Sequence, residues 1–367
     1  MRYAIPSERQ WRVQADRHLY SWPSRLVELL VNPVCTILKQ QKDLTRVSGR
    51  RDPDVSTIDC AVVHNTMSLK TNHISVCICT YKRPLLLGRL LRELVHQETK
   101  GLFTYSIVVA DNDYLQSAKA AVSEFATSCL VPVRYCVEPQ QNIALARNKA
   151  IETSDGDFIA FIDDDEFPTM RWLLTSFQAC NKYNVDGVVG PVKRHFDEQP
   201  PTWVIKGRFY ERPTYRTGLV IDWQRGRTNN VLLKRGIIPP GAQPFRPEFR
   251  TGEDQDFFRR MIEQGHTFIW CDESVVFEAV LPVRWRRSFM IKRALLQGTN
   301  SVQHPGCGAR NVIKTIVAIV VYTILLPIAF LLGQHKFMKL VIKLADHAGR
   351  LLALIGVSPI KEQYVTE

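Results

Sequence analysis

Segments with strand and helix patterns alternate between His73 and Glu166, and this alternation constrains the fold more than any other feature. The strand-like segment ISVCICTY (74–81) is followed by RPLLLGRLLRELVHQ (83–97), whose apolar residues recur at the helical period. Three more strand-like segments follow, with helix-like segments between them: YSIVVADND (105–113), VPVRYCVE (131–138) and DFIAFIDDDE (157–166). Strands that alternate with helices predict an α/β fold with a mostly parallel sheet and helices on both faces.

Polar residues stand at the ends of three of these strands. They are Thr80–Tyr81, Asp111–Asp113 and Asp163–Asp165. Ligands of such sheets bind outside the carboxyl ends of the strands, so these residues are candidate binding residues. Three adjacent carboxylates next to an apolar strand are costly unless a cation compensates them, and Mg²⁺ or Mn²⁺ prefers such hard oxygen ligands. The alternative is a solvated acidic turn before a helix, in which Glu166 favours the helix start.

The positive charge of the 367-residue chain is concentrated in its last quarter. Its formal net charge is +12, and residues 283–367 contain 12 Lys and Arg against 3 acidic residues, which accounts for +9 of that total. An anionic partner such as a phosphate ligand or a membrane surface is therefore expected. Nucleic acid is not expected, because the basic residues are interleaved with a long apolar run and not with stacking aromatic residues.

That apolar run, TIVAIVVYTILLPIAFLLG (315–333), has no charged residue in 19 positions. It is long enough to cross a hydrocarbon core of ~30 Å, and Pro327 is expected to kink it. The following segment KLVIKLADHAGRLLALIG (339–356) has the spacing of an amphipathic helix. We predict membrane attachment through 311–334 in preference to a buried core helix. A span and a re-entrant or interfacial segment both remain open, because a span would carry a tail of net charge +2 across the membrane.

The N-terminal residues and the cysteines indicate an intracellular catalytic part. The first 17 residues are polar and lack the apolar region of a signal peptide. The nine cysteines are scattered and odd in number, which argues against a disulfide framework. Cys77 and Cys79 share one face of a strand and have no second Cys or His pair nearby, so small core residues are expected there, not a zinc site.

Six segments carry a resemblance to a known family. In chain order they are SVCICTYKRPLLLGRLL (75–91), VVADND (108–113), NIALARNKAI (142–151), GDFIAFIDDDEFP (156–168), GPV (190–192) and RTGEDQDFFRRM (250–261). Together they resemble the family 2 glycosyltransferases of the GT-A fold, and most of all the bacterial glucosyltransferases of succinoglycan-type exopolysaccharide assembly. The resemblance extends over about residues 73–300.

The resemblance implies roles for individual residues. Those implied to line the uracil and ribose pocket are Thr80, Tyr81, Arg83 and Pro84. Asp111 matches the acid that accepts from the uracil N–H, and Asn142 and Arg147 match helix residues near the nucleotide. Asp163 and Asp165 match the two acids of the Asp-x-Asp signature: Asp163 at the ribose or metal and Asp165 on the metal that holds the diphosphate. Asp164 lies between them.

The same resemblance implies a catalytic base. Inverting transfer needs a carboxylate to take the proton of the acceptor hydroxyl, and Asp254 matches that base, with Glu253 orienting the acceptor. The same residues can also begin a helix, with Thr251 as the cap and the acids in the first turn, and the two roles are compatible. Asn229 or Asn230 is expected near the donor sugar.

The chain departs from many relatives after its last strand. Where they have a His-Glu pair with the His near the metal, this chain has Phe277-Glu278. A third metal ligand is therefore missing, or is replaced by Glu278 or water. Three of the arginines that follow this pair are Arg286, Arg287 and Arg293. They are expected either to bind the diphosphate or an acidic lipid, or to form a solvated basic surface.

The predicted function is an inverting glycosyltransferase. It would move glucose from a UDP-sugar, with Mg²⁺ or Mn²⁺, to a lipid-linked oligosaccharide during bacterial surface polysaccharide synthesis. The implied location is the cytoplasmic face of the inner membrane, alongside other polysaccharide-assembly enzymes. One alternative, a metal-dependent nucleotidyl or phosphoryl transferase, is disfavoured because no glycine-rich phosphate loop is present. The other, a non-catalytic scaffold with a decayed site, is disfavoured by the acids at 111, 163, 165 and 254.

The expected domain organisation has four parts. They are a partly helical N-terminal extension (1–72), a glycosyltransferase domain (73–300) with a nucleotide-binding half (73–195) and an acceptor half (196–300), an apolar membrane segment (311–334) and an amphipathic tail (335–367).

Overall fold

The strands and helices of the first half of the chain follow the predicted alternation. In the computed structural model, the described residues are 71–249, 252–301 and 309–357. The first elements are β1 (Asn72–Thr80), α1 (Pro84–Leu94), β2 (Phe103–Asp111), α2 (Lys119–Ser128), β3 (Val133–Val137), α3 (Ile143–Thr153), β4 (Phe158–Ile162), β5 (Glu166–Pro168) and α4 (Trp172–Tyr183). Most of the predicted N-terminal extension, the capping residue Thr251 and the tail beyond 357 lie outside the described residues, as does Cys307.

The second half adds shorter strands and longer helices. The elements are β6 (Gly187–Val189), β7 (Val192–His195), α5 (Thr202–Gly207), β8 (Asn230–Lys234), α6 (Glu253–Glu263), β9 (Phe268–Trp270), β10 (Val276–Ala279), α7 (Arg287–Ser301), α8 (Ala309–Leu331) and α9 (Gln334–Leu354). A short 3₁₀ turn, Pro282–Trp285, joins β10 to α7.

A seven-stranded sheet has the order β3-β2-β1-β4-β8-β6-β9. The strands from β3 to β4 pair in parallel, while β8 runs antiparallel to both β4 and β6. In this register Thr80 lies opposite Asp111, so the polar ends of β1 and β2 meet at one edge. A second sheet of three strands, β5-β10-β7, lies beyond the acidic end of β4. The mostly parallel sheet is confirmed.

Alternating residues of the central strands face opposite layers of helices. Ile74, Val76 and Ile78 of β1 belong to a core cluster that includes residues of α1, α2 and α4. Cys77, between them, belongs to a cluster that includes residues of α3 and α6. Both clusters are almost completely buried. Because helices cover both faces of the sheet, only its edges and strand ends remain available for ligands.

The C-terminal helices form an antiparallel pair beside α7. The ring of Phe330 on α8 lies 5.6 Å from that of Phe337 on α9, and Tyr322 lies 5.8 Å from His347. These two contacts run in opposite directions along the two helices. On its other side α9 approaches α7 closely at two glycines, Gly298 and Gly349, which face the backbone of the partner helix. The predicted amphipathic tail is therefore a helix that joins α8 to the rest of the described fold.

We predict that Gly298→Ala loosens the contact between α7 and α9. The added methyl group would overlap the backbone carbonyl oxygen of Asp346, which cannot rotate away. We expect the free energy of unfolding to fall by about 1–3 kcal/mol, as for other overpacked sites. Urea unfolding measures this change.

Gly88→Ala is the matched control, because Gly88 is also inside a helix and a methyl group there would meet only the end of the Arg92 side chain at 3.5 Å. It should stabilise the protein by up to ~1 kcal/mol through helix propensity. Equal effects of the two substitutions would contradict a close helix contact at Gly298.

Candidate active site

A cavity of about 210 Å³ lies at the carboxyl ends of β1, β2 and β4. Its wall consists of Cys79, Thr80, Tyr81, Arg83, Asn112, Ile143, Arg147, Asp163, Asp164 and Asp165. The structure thus brings together seven of the residues that were predicted to bind the nucleotide sugar or metal. Pro84, Asp111 and Asn142 were also predicted, but they do not line this cavity. We call it the strand-end cavity.

Asp111 and Asn142 hold the backbone around the strand-end cavity. Asp111 is fully buried, and its carboxylate accepts hydrogen bonds from the amides of Asp113 and Ala118 and from the Tyr135 hydroxyl. Asn142 caps α3 by accepting from the amides of the first turn. Of the three polar residues at the end of β2 that the sequence analysis named as candidate binding residues, Asn112 is the one in the cavity wall.

Three of the four acids after β4 accept hydrogen bonds from other segments of the chain. Asp164 accepts from the Thr80 hydroxyl at 2.8 Å and from Arg83 at 3.1 Å. Asp165 accepts from Arg284 at 2.6 Å and from Arg83 at 3.4 Å. The fourth acid, Glu166, accepts from the amide of Asp163 and from the Asn229 side chain. These bonds hold the carboxylates of Asp164, Asp165 and Glu166 in fixed positions.

Asp163 differs from its neighbours because its carboxylate has no hydrogen-bond partner among the described residues. Burial raises the pKa of Asp163 to about 7, with further contributions from the charges of Asp165, Asp164 and Glu278, against the opposing effect of Arg147. Burial also raises the pKa of Asp164 to about 6, although Arg83 opposes the shift. A cation bound at this point would relieve an electrostatic cost that the described residues leave uncompensated at Asp163.

The acidic run fits a divalent ion that takes few ligands from the protein. Asp163 offers a carboxylate that has no hydrogen-bond partner in the described part of the chain, and Asp165, although buried and bonded to arginine, lines the same cavity. No group of three or more His, Cys, Asp or Glu side chains in the described ranges is arranged as a closed metal cage. Mg²⁺ and Mn²⁺ commonly bind through one or two carboxylates, with water and phosphate oxygens as the remaining ligands.

A buried arginine lies beside Phe277–Glu278, the pair that stands where the resemblance implied a histidine and a glutamate. Arg284, only 5% exposed, donates to Asp165 and also to Glu278 at 2.9 Å. Glu278 is held in addition by Arg212 at 2.6 Å. Phe277 points its ring onto Phe167, with the ring centroids 5.5 Å apart. The sequence analysis considered other arginines of the basic segment and missed Arg284, because only the fold brings the 3₁₀ turn to the end of β4.

A second cavity of about 420 Å³ adjoins the first. Its wall includes residues from the segment 212–229, together with Val189, Gly190, Asp254, Trp270 and Arg293. Arg147 and Asp163 line both cavities, so the two spaces meet at these side chains. Asn229 also lies in the wall, whereas the buried Asn230 bonds to Trp172 and to backbone carbonyls. We call this space the second cavity.

Three acids occupy the first turn of α6, but only one faces the second cavity. Glu253 is buried and its carboxylate is paired with Arg147. Asp256 is buried and paired with Arg260 at 2.8 Å. Asp254 lines the second cavity and has no ion pair among the described residues, while its carboxylate accepts from the amide of Gln255. Of these acids, Asp254 alone is available to a ligand.

Arg147 connects the two cavities electrostatically. It is 7% exposed, donates to Glu253, and lies with its guanidinium 5.6 Å from the ring centroid of Phe245. Burial disfavours its charge, but the carboxylates of Glu253 and Asp163 raise the pKa of Arg147 overall. The pair links α3 of the strand-end cavity with α6, which carries Asp254. Glu253 is therefore a residue that positions this arginine.

Comparisons with known proteins agree with this geometry. A family model described as Glycosyl transferase family 2 matches residues 75–246. Succinoglycan biosynthesis protein ExoM of Rhizobium meliloti is 32% identical over 235 residues, which cover 63% of this chain and 75% of that protein. Glycosyltransferase AglE of Haloferax volcanii is 24% identical over 224 residues, which cover 58% of this chain and 71% of that protein.

A solved structure with a similar fold is the mannosyltransferase PcManGT from Pyrobaculum calidifontis, determined with GDP-Man and Mn²⁺. It matches with a TM-score of 0.53 at 15% identity and covers 78% of this chain and 88% of that chain. The likeness supports the GT-A fold.

We predict that Glu253→Ala destabilises the protein strongly, because it leaves Arg147 buried without its main partner. The free energy of unfolding should fall by about 3–5 kcal/mol, as is usual when one member of a buried ion pair is removed. Urea unfolding followed by tryptophan fluorescence measures the change.

The control is Glu152→Ala, which breaks an exposed pair with Lys149 on the same helix as Arg147. A solvent-exposed pair contributes at most about 1 kcal/mol. If both substitutions had equally small effects, Arg147 would not depend on Glu253 for its charge compensation.

Proposed function

The chain belongs to glycosyltransferase family 2, and on this premise we propose that it transfers glucose from UDP-glucose to a lipid-linked oligosaccharide with inversion at the anomeric carbon. The acceptor proposal draws on the relative from Rhizobium meliloti, whose name assigns it to succinoglycan biosynthesis. We propose that residues 73–195 bind the nucleotide and residues 196–300 bind the acceptor.

The observation that carries the proposal is the junction of the two cavities at Arg147 and Asp163. A donor bound in the strand-end cavity would direct its sugar toward this junction, while an acceptor would enter from the second cavity. Attack on an anomeric carbon requires both substrates to meet in line, and adjoining cavities supply that arrangement.

Asp254 is the proposed base. An acceptor hydroxyl attacks the anomeric carbon, its proton passes to the Asp254 carboxylate, and the bond to the diphosphate breaks with both electrons going to the leaving oxygen. Asp254 suits this role because it lines the second cavity without an arginine partner among the described residues. Glu253 and Asp256 are already engaged by arginines.

Asp163 and Asp165 are the proposed ligands of a divalent ion, Mg²⁺ or Mn²⁺, which would neutralise the charge of the departing diphosphate. Thr80 and Arg83 hold Asp164 beside these ligands, and Arg284 holds Asp165. These contacts keep the carboxylates in place at the cavity wall. Tyr81 lines the same cavity, in position to contact the nucleotide, whereas the Asn112 side chain in that wall is bonded to the backbone of Glu138, Gln140 and Asn142.

We predict that Asp254→Asn abolishes most transfer. Loss of the base should lower the rate about 10²–10⁴-fold, while UDP binding stays unchanged. The assay measures UDP released by detergent-solubilised protein from a panel of UDP-sugars, with a crude lipid extract as acceptor and with Mg²⁺, Mn²⁺ or EDTA. Release should occur with one sugar and should stop with EDTA.

Glu263→Gln, at the exposed end of the same helix, is the control and should behave as the unmodified protein. Full activity of Asp254→Asn would refute the assignment of the base. Activity that persists in EDTA would refute the role of the ion.

We also propose that α8 attaches the protein to the cytoplasmic face of a bacterial inner membrane. The stretch Val312–Leu331 is long and apolar enough to cross a membrane, and only 11% of it is buried. It is therefore not a core helix. Exposed apolar residues continue along its whole length and over a broad part of its surface: Ile313, Ile316, Val317, Val320, Val321, Ile324, Leu325, Ile328, Phe330 and Leu331.

The packing of α9 against α8 supports the proposal that α8 lies in the membrane surface and does not span the membrane. Along its length α8 pairs with α9, which carries Lys336, Lys339 and Lys343 at exposed positions. A span would carry these lysines into hydrocarbon, at a cost of about 2.5–3.5 kcal/mol for each one near the centre. An interfacial helix keeps them in water beside anionic head groups.

We predict that Ile324→Glu weakens binding to vesicles that contain anionic lipid. It removes apolar burial and adds a repelled charge, so the partition coefficient should fall about tenfold or more. Vesicle co-sedimentation of the full chain measures this change.

Leu130→Glu is the control, because Leu130 is fully exposed far from α8 in the sequence, next to α2. Alkaline carbonate should release the protein from membranes if α8 lies in the surface. Retention in the membrane after carbonate would indicate a span instead.

A further inference from the structure

Arginines outnumber carboxylates in the wall of the second cavity. Five arginines lie in its wall, against the carboxylates of Asp163 and Asp254. Three of these arginines form ion pairs with acids outside the wall: Arg147 with Glu253, Arg212 with Glu278 and Arg225 with Asp222. The remaining two are available to a ligand.

These two are Arg227 and Arg293. Neither has a hydrogen bond or an ion pair with any other residue in the described part of the chain. Arg227 precedes β8 and Arg293 lies on α7, so separate elements direct them to one space. Arg227 is exposed to solvent, whereas burial lowers the pKa of Arg293, as do the charges of Arg284 and Arg212, against the opposing charge of Glu278. Both guanidinium groups therefore keep hydrogen-bond donors that an anionic ligand could use.

A second observation points to a ligand at the same place. Thr228 is only 1% exposed, it lines the second cavity, and its hydroxyl has no hydrogen-bond partner among the described residues. The buried Nε of Arg225 is also without a partner, although the rest of that side chain is held by Asp222 and by the ring of Tyr215. A buried polar group without a partner is costly, so a bound ligand would compensate both groups.

We propose that the acceptor of this enzyme carries an oxyanion, a phosphate or a carboxylate, which binds in the second cavity to Arg227, Arg293 and the Thr228 hydroxyl. Guanidinium groups bind such oxyanions through paired hydrogen bonds, and a threonine hydroxyl donates a further one. The proposal rests on the proposed function, because it describes the acceptor of that reaction.

The position of these residues favours the acceptor over the diphosphate of the donor. Arg227, Thr228 and Arg293 line the second cavity and are absent from the wall of the strand-end cavity. The polar groups closest to a bound nucleotide would be Arg83 and the aspartates after β4. Asp254 shares the second cavity, so an anion held by the arginines would leave this carboxylate free to take a proton.

Calorimetric titration of the full chain tests the proposal with saturating UDP present to occupy the strand-end cavity. The three probes are methyl glucoside, glucose 1-phosphate and glucuronic acid. We expect at least one anionic probe to bind about tenfold or more tightly than the neutral one, as a charge-assisted hydrogen bond provides. The phosphate and carboxylate probes distinguish the two possible sources of the oxyanion.

Arg227→Gln, Arg293→Gln and Thr228→Val should each remove most of this preference and leave the affinity for UDP unchanged. Thr228→Val keeps the shape of the side chain and should not lower the melting temperature, since the lost hydroxyl had no partner. Arg216→Gln is the matched control, because Arg216 is an exposed arginine of the same segment outside the cavity wall.

Equal binding of the neutral and anionic probes would overturn the proposal. So would a loss of UDP affinity in the arginine variants that equals their loss of probe affinity, since the arginines would then serve the donor. If UDP itself does not bind, the donor proposal fails, and the same probe series without UDP still decides whether the second cavity selects an oxyanion.

Discussion

Arg147 lies buried between the Glu253 carboxylate and the unpaired carboxylate of Asp163, at the point where the two cavities meet. Placing a guanidinium in a protein interior is unfavourable unless carboxylates surround it. The arginine thereby requires α3 and α6 to pack in one relative position, which brings Asp254 to the second cavity. The same positive charge opposes protonation of Asp163. The geometry of the proposed transfer thus follows from the compensation of one buried charge.

A related constraint acts at the end of β4. Four successive acids would repel one another strongly, and the fold compensates two of them, Asp164 and Asp165, with Arg83 after β1 and Arg284 in the turn after β10. These arginines lie far apart in the sequence, so the acidic run couples the first strand of the fold to the segment that leads into α7. The C-terminal helices are consequently positioned relative to the site, since α9 packs on α7 through Gly298 and Gly349.

Features that depend on neighbours in sequence were predictable. The alternation of apolar periods indicated β1 to β4 with their helices, and parallel pairing then placed Thr80 and Asp163–Asp165 at one edge. The partners of these groups were not predictable, because they come from distant segments. Arg284 bonds to Asp165, which is 119 residues away in the sequence. The Asp111 carboxylate accepts hydrogen bonds from Tyr135 and two backbone amides and does not line the cavity. Glu253 and Asp254 are adjacent in sequence, and only the buried Arg147 distinguishes their environments.

The second cavity, with its two arginines that have no partner among the described residues, and the apolar surface of α8 would bind different parts of one acceptor. An acceptor anchored in a membrane by its lipid remains near the surface, so an enzyme held flat on that surface meets it at high local concentration. Lysines of α9 beside this apolar surface favour the same anionic membrane. An oxyanion between lipid and sugar would give Arg227 and Arg293 a ligand close to the sugar that must reach Asp254. The membrane would then hold the lipid of the acceptor while the second cavity binds its oxyanion. Both interactions use positive charge from the C-terminal part of the chain, which accounts for the concentration of basic residues in its last quarter.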